Sequence, residues 1–293
     1  MLMIMTALAG LTLQASEAAP TVSEVMAAAP ADVWIDPDPE QLLYIETEQG
    51  VAVVHLSSTL ASEHVAQVKI LARERYYDGL NFYRVVHGFV AQGGDEAGMK
   101  DKGSAAESLT AEFEEPMPED MPFTPLGFED GYAAEVGYTD GMPAGRDPKS
   151  GTVWLAHCTG AFAFGRGVDR DTASTEFYST LQPQRDLDRN LTVVGRVIYG
   201  MDMIQSLSRG NFGDGGVNAD RESWTEITSV RLESDIPADD RIDLEYMDTS
   251  SASFRQLITA RSARQSEFFY YRPNYIDLCQ LPLPVRLTPD AAE

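Results

Sequence analysis

The chain has 293 residues, 43 % hydrophobic and 23 % charged, an ordinary balance for a globular protein able to bury one large core or two smaller ones. Its 46 acidic residues against 22 basic ones give a net charge of −24. That excess excludes nucleic acid as a partner, because phosphate binding needs a basic patch, and it disfavours anionic lipid.

The chain opens with MLMIMTALAGLTLQA, apolar but too short to span a bilayer, followed by the polar SEAAPTVSE. Residues 1–19 read as a secretory signal peptide without the usual basic start, and Ala15, Ala18 and Ala19 offer cleavage sites. A periplasmic or secreted protein is expected, with no membrane span after signal removal. Residues 20–41, rich in Ala, Pro and Asp, read as a linker. LLYIET (42–47) and VAVVHL (51–56), separated by a Gln-Gly turn, predict a strand–turn–strand unit. In ASEHVAQVKILARERYY, Val65, Val68 and Leu71 recur at helical spacing, with Ser62 as the expected N-cap.

YYDGLNFYRVVHGFVAQGGD (76–95) comes next. Asp78-Gly79 is a turn signal, and LNFYRVV and GFVAQGG predict two strands joined at His87-Gly88. One cation, Arg84, stands in the middle, where a charge is seldom kept without a partner. Residues 96–150 are rich in Pro, Gly and acids and predict a long irregular surface insertion. Strand-like segments resume at GTVWLAHC (151–158), TEFYST (175–180), LTVVGRVI (191–198) and WTEITSVRL (224–232), with a short helix at GMDMIQSL (200–207). Short strands at hairpin-like spacing predict a mainly β fold, a closed antiparallel barrel with two capping helices. Residues 236–293 form a C-terminal extension. Phe254, Leu257, Ile258 and Arg261 mark a helix over 251–265, and FFYYRPNYIDLCQLPLPVR reads as extended chain packed on the barrel.

FYRVVHGFVAQGGD resembles the signature of cyclophilin-type peptidyl-prolyl isomerases, and LDRNLTVVGRVIYGMDMIQSL resembles that family's final catalytic-domain segment. WLAHC and TEFYS fall between them in the right order. The resemblance covers residues 42–232 and places an isomerase domain over 42–235, interrupted by the 96–150 insertion. It implies an eight-stranded barrel acting on proline-containing polypeptides as a monomer, with no cofactor and no metal. Carried over position by position, it makes Arg84 the catalytic arginine. Phe89, Tyr178 and Leu187 become walls of an apolar proline pocket, and Val90 takes a pocket position that is often Met. Gln92 becomes a substrate contact, and Ala156 a residue of the strand lining the groove. The chain departs from the pattern elsewhere: His157 stands where Asn is usual, Glu176 where a second Gln is usual, Asp186 where an aromatic is common and Leu191 where His is common. A carboxylate at Glu176 is expected to pair with Arg84 and compete with substrate. That feature supports a rival reading, a non-catalytic or weakly catalytic holdase that grips proline segments.

The chemistry accounts for a lone arginine. Rotation about X–Pro is slow because amide resonance sets a barrier of about 18–20 kcal/mol. Lowering it needs no nucleophile or metal, only a dry pocket for the ring and a donor for the prolyl nitrogen, whose lone pair localises as the bond twists. A guanidinium is permanently charged, rigid and rich in donors.

Other signals are weaker. His55, His64, His87 and His157 show no metal-ligand spacing. His157 and Cys158 are neighbours on a predicted strand, so they face opposite ways and do not make a Cys–His nucleophile. FGRGVDRD and RGNFGDGG read as turns. The two cysteines, Cys158 and Cys279, would be buried thiols in a cytosolic chain; with export, a disulfide is expected. It would bring Leu281-Pro282 and Leu283-Pro284 towards the groove.

Overall fold

The computed structural model describes residues 19–57 and 59–288. In chain order, α1 (Val22–Ala28) and β1 (Trp34–Ile35) precede the hairpin β2 (Leu42–Thr47) and β3 (Gly50–Leu56). Then come α2 (Ser62–Arg73), β4 (Asn81–Val85) and β5 (Val90–Gly94). The insertion contributes β6 (Glu115–Pro116), β7 (Thr124–Pro125), β8 (Glu135–Thr139) and β9 (Met142–Asp147), and leads into β10 (Thr152–Leu155). After it come β11 (Ala161–Phe164), β12 (Phe177–Thr180), β13 (Val193–Tyr199), α3 (Met201–Ser206) and β14 (Thr225–Leu232). The extension holds β15 (Leu244–Met247), α4 (Ala252–Ala263) and β16 (Val285–Leu287).

Eight antiparallel strands close a barrel in the order β11-β12-β5-β4-β14-β2-β3-β13. Leu43, Ile45, Val54, Phe82, Phe162 and Phe177 fill it, and Val65, Val68 and Leu71 of α2 and Met203 and Ile204 of α3 pack against the same core. Tyr77 and Phe82 meet Phe177 edge-on. Burying each such ring contributes about 1.5–3 kcal/mol. One barrel strand differs from expectation. Of GTVWLAHC only Thr152–Leu155 is a strand, and it pairs with β9 and β6 outside the barrel. The barrel strand is the short AFAF segment, buried at every position and therefore without the alternation that marks a half-exposed strand.

The insertion is more ordered than its composition suggests. It forms most of a five-stranded sheet, β6-β10-β9-β8-β7. Asp140-Gly141, both at positive φ (47° and 71°), turn β8 into β9, which is the Asp-Gly hairpin signal hidden among many other glycines and prolines. The insertion also caps α2. Ser62 is the first helical residue, not the cap; Ala61 precedes it in a left-handed conformation and makes no side-chain cap bond. Glu115 accepts from the Ala61 N–H at 2.6 Å, and Glu112 accepts from the Glu63 and His64 N–H groups at 3.0 Å and pairs with His64 Nδ1 at 2.6 Å. Burial alone would raise the Glu112 carboxyl, but His64 and those N–H groups outweigh it and hold the carboxyl below its ordinary value. Glu112→Ala is therefore expected to lower stability at pH 7 by about 1–2 kcal/mol, the cost of a lost cap. The wild type's advantage should be present above the ordinary carboxylate range and vanish as pH falls through the lowered value; urea melts of both proteins at several pH values check this.

A second core lies outside the barrel. It joins Val25 of α1, Leu126, Val136 and Tyr138 of the insertion, Ala156 and Cys158, and Phe254, Leu257, Leu278 and Leu281 of the extension. Residues 20–41 are thus no free linker. Thr21 and Glu24 form a capping box on α1, α1 packs on α4, and β1 pairs with β15. The predicted signal peptide, residues 1–19, lies outside the described residues except for Ala19. The extension also covers the outside of the barrel hairpin, where Leu244, Ile236 and Val285 meet Leu42, Tyr44 and Val53. A disulfide joins Cys158 to Cys279 across 121 residues of sequence. Leu281 and Leu283 are buried in this second core, so the Leu-Pro pairs are committed there and do not enter the groove. The FFYY stretch does not pack as expected: Phe268, Tyr270 and Tyr271 are 81 %, 103 % and 81 % exposed, and burial resumes only at Ile276. Among the described residues no helix is long and apolar enough to cross a membrane.

Candidate active site

Strands β4, β5 and β12 lie side by side, with Arg84 opposite Gln92 and Gln92 opposite Tyr178. Between Phe82 and Arg84 the register slips, so Tyr83 and Arg84, neighbours in sequence, both reach Gln92. Here a cavity of about 300 Å³ opens. Arg84, Phe89, Val90, Gln92, Glu176, Tyr178, Leu187 and Leu191 line it, together with Gly165, Arg166, Gly167, Thr172, Ser174 and Thr175. Phe89, Val90, Tyr178, Leu187 and Leu191 belong to one apolar cluster, which gives the cavity its hydrophobic side.

The polar side is a chain of hydrogen bonds. Arg84 Nη1 donates to Gln92 Oε1 at 3.0 Å, Gln92 Nε2 donates to Tyr83 Oη at 2.6 Å, and the Tyr83 hydroxyl donates to Glu176 Oε2 at 2.6 Å. Arg84 Nε donates to the Gly215 carbonyl at 2.8 Å, and the guanidinium carbon lies 5.9 Å from the centre of the Phe89 ring. The loop offering that carbonyl is itself tied to β4: Val85 N–H donates to Gly216 O and Gly210 N–H to Val85 O, each at 2.9 Å. Gly216 has φ +84°, and a Cβ there would stand 2.2 Å from Val86 Cγ2, so only glycine fits. RGNFGDGG, read as a turn, is thus the clamp on the arginine. Its paired glycines were the available signal, but which strand they approach is decided in three dimensions.

Glu176 does not pair with Arg84. Gln92 and Tyr83 stand between the two in the bonding chain, and the carboxylate is engaged by the Tyr83 hydroxyl. Gly94 makes room for it: at φ +143°, a Cβ would lie 2.2 Å from Glu176 Oε1. Burial pushes the Glu176 carboxyl above its ordinary value despite the bonds from Tyr83, Gln92 and the Asp95 backbone. Glu176→Gln is accordingly expected to leave kcat/KM near the wild-type value, because no ion pair to Arg84 is broken. It should also raise Tm at neutral pH. A carboxyl whose value is raised by folding costs stability as pH climbs through that value, so the gap between variant and wild type should widen from pH 4 to pH 8; paired melts across that range are the check.

Ala156 and His157 do not line the cavity. Residues 151–158 belong to the other sheet and its junction, so Ala156 packs in the second core and His157 is wholly buried. The flank they were expected to supply comes from Gly165, Arg166 and Gly167, just after β11. Asp186 is exposed and lies outside the lining.

Residues 42–232, which hold the whole barrel, match the sequence model of the family described as cyclophilin type peptidyl-prolyl cis-trans isomerase/CLD. The chain belongs to this family. A Brucella suis protein named as a probable peptidyl-prolyl cis-trans isomerase is 31 % identical over 188 residues, 61 % of this chain and 77 % of that one. Peptidyl-prolyl cis-trans isomerase-like 1 of Mus musculus is 28 % identical over 179 residues, 61 % of this chain and 84 % of its own length. The crystal structure of cyclophilin AquaCyp293 from Hirschia baltica aligns with a TM-score of 0.72 at 26 % identity, covering 92 % of this chain and 97 % of that one. Such coverage extends beyond residues 42–232, which the family model matches. The protein is a cyclophilin-type isomerase with a substantial structure built onto its barrel.

Proposed function

We propose that the cavity between β4, β5 and β12 receives the prolyl ring of an X–Pro segment against Phe89, Val90, Tyr178, Leu187 and Leu191, and that Arg84 is the catalytic residue. The observation behind this is the commitment of the guanidinium. Nε and Nη1 are held by Gly215 and Gln92, while Nη2 has no hydrogen-bond partner among the described residues. An arginine fixed at two nitrogens and open at the third is preorganised to donate to the prolyl nitrogen when resonance is lost, so it stabilises the twisted amide over the planar one. Gln92 orients Arg84 through its carbonyl oxygen, and its amide nitrogen is in turn held by Tyr83 and Glu176. The holdase reading rested on a Glu176–Arg84 pair, and Glu176 is engaged by Tyr83 instead.

The physiological role we propose is folding of exported proteins, in the periplasm or after secretion, by a monomeric enzyme. Two features support the location: the apolar N-terminal stretch, and a disulfide of the kind that persists in oxidising compartments. Protease-coupled isomerisation of a short X–Pro peptide tests the activity at this site. Catalysis that is abolished by filling the cavity with a proline-containing competitor is expected; a folded protein with no catalysis would overturn the assignment. Fractionation of the producing cell, with the protein found only in the cytoplasm, would overturn the location.

A further inference from the structure

Behind the apolar wall of the cavity, a line of buried polar groups runs towards the insertion. The Tyr178 hydroxyl lies 2.9 Å from His157 Nε2. His157 has no exposed surface, and both its backbone N–H and its Nδ1 approach Asp188 Oδ1, at 2.8 and 3.0 Å. Asp188 Oδ2 accepts from Arg185 Nε at 2.6 Å. The two terminal nitrogens of Arg185 then grip Asp130 of the insertion at 3.1 and 3.0 Å, and Asp130 also accepts the N–H groups of Tyr132 and Ala133. The side chains of Arg185, Asp130 and Asp188 are only 6 %, 4 % and 3 % exposed.

Chemistry orders the protons along this line. Burial would raise the Asp188 carboxyl, but His157 and Arg185 outweigh it and hold it below its ordinary value, so it is an acceptor only. Nδ1 of His157 must then carry a hydrogen. In neutral imidazole that leaves Nε2 as an acceptor, and the Tyr178 hydroxyl becomes the donor. The same cluster fastens a second wall residue. Leu187 lies between Arg185 and Asp188, and Gln184 N–H donates to the His157 carbonyl at 2.8 Å, so the turn carrying Leu187 is tied to residue 157 from both sides. Apolar packing alone lets rings and isobutyl groups slide; directional bonds to buried ions do not.

We propose that His157, Asp188 and Arg185 are positioning residues for the Tyr178 and Leu187 walls of the pocket, and that the insertion sets the shape of the substrate site through Asp130. This rests on reading the cavity as the proline site. It gives the 96–150 insertion a part in substrate binding that cyclophilin barrel residues alone do not supply.

Two measurements test the proposal. The first is a double-mutant cycle on peptide isomerisation, with kcat and KM measured separately and folding checked by circular dichroism. Asp130→Asn keeps the shape of the side chain but removes its charge, and should raise KM several-fold with little change in kcat. Tyr178→Phe, which keeps the ring and cuts the line, should also raise KM, and Asp130→Asn should add little to it. Full additivity, or an Asp130→Asn protein with a lowered Tm and an unchanged KM, would overturn the proposal. The second uses the wild-type protein and needs no variant to fold: nitrogen-15 NMR of His157 should show a hydrogen on Nδ1, facing Asp188, and a bare Nδ1 would overturn it. Failure of the underlying site reading looks different. In that case Arg84→Ala would leave the isomerisation intact, whatever His157 shows.

Discussion

Arg84→Ala is expected to lower kcat/KM for an X–Pro peptide by about 10²–10³, the usual cost of about 2.7–4 kcal/mol for deleting one preorganised transition-state donor. The loss should fall on kcat, because the planar ground state of the amide does not need the donor that the twisted state uses. The fold should survive. Arg84 is half-buried and its partners are the Gly215 carbonyl and the Gln92 amide, neither of them an ion that would be left buried and unpaired. Arg84→Lys sharpens the test. It keeps the charge but loses the planar fork that bonds Gly215 and Gln92 while leaving Nη2 for substrate, so it should rescue little of the rate. A folded Arg84→Ala enzyme with near wild-type kcat/KM would remove Arg84 from the mechanism.

The barrel and one side of the site were legible because they are local. Phe-Tyr-Arg and the Gln-Gly-Gly-Asp end of the next strand lie within fifteen residues, and a hairpin fixes their pairing almost as soon as the strands are recognised. Glu176 shows where local reading stops. Its sequence position suggested a partner for Arg84, yet the slip at Phe82/Arg84 turns Tyr83 to the same side and the tyrosine engages the carboxylate first. A one-residue irregularity of this kind leaves no periodic trace. AFAF failed as a sequence signal for the opposite reason: a strand buried on both faces has no alternation to detect, so the more strand-like WLAHC took its place and carried Ala156 and His157 into the predicted groove. The second core was invisible because it is assembled from four separated segments, each too small to bury an apolar face alone. Only the cysteine count hinted that the tail and residue 158 meet.

That meeting leads to the other large effect. Replacing Cys158 and Cys279 together by Ala is expected to destabilise the protein by up to about 5 kcal/mol, since the bridge closes a loop of 121 residues and such a loop restricts the unfolded chain strongly in the entropic account. The loss should appear first in the second core. Cys158 is buried there and Cys279 packs against it, whereas the barrel interior contains neither. Without the bridge, the segment from Ile276 to Leu283 is held by the burial of Ile276, Leu278, Leu281 and Leu283 and by the Tyr138 hydroxyl donating to the Leu281 carbonyl, so the chain that covers α4 is less firmly held. A low-temperature transition should therefore separate from barrel unfolding; between the two, peptide isomerisation should persist, because the cavity is lined from β4, β5, β12 and residues 165–191, but with a raised KM as the insertion loses its hold on the Tyr178 wall. Each kcal/mol moves Tm by about 2–4 °C in domains approaching this length, so the shift is easily read by calorimetry. Reductant supplies the control. It should bring the wild type down to the melting profile of the double variant and leave the variant itself unchanged. Identical wild-type melts with and without reductant, once thiol titration has counted two free cysteines in the reduced sample, would show that the bridge contributes nothing to holding the tail.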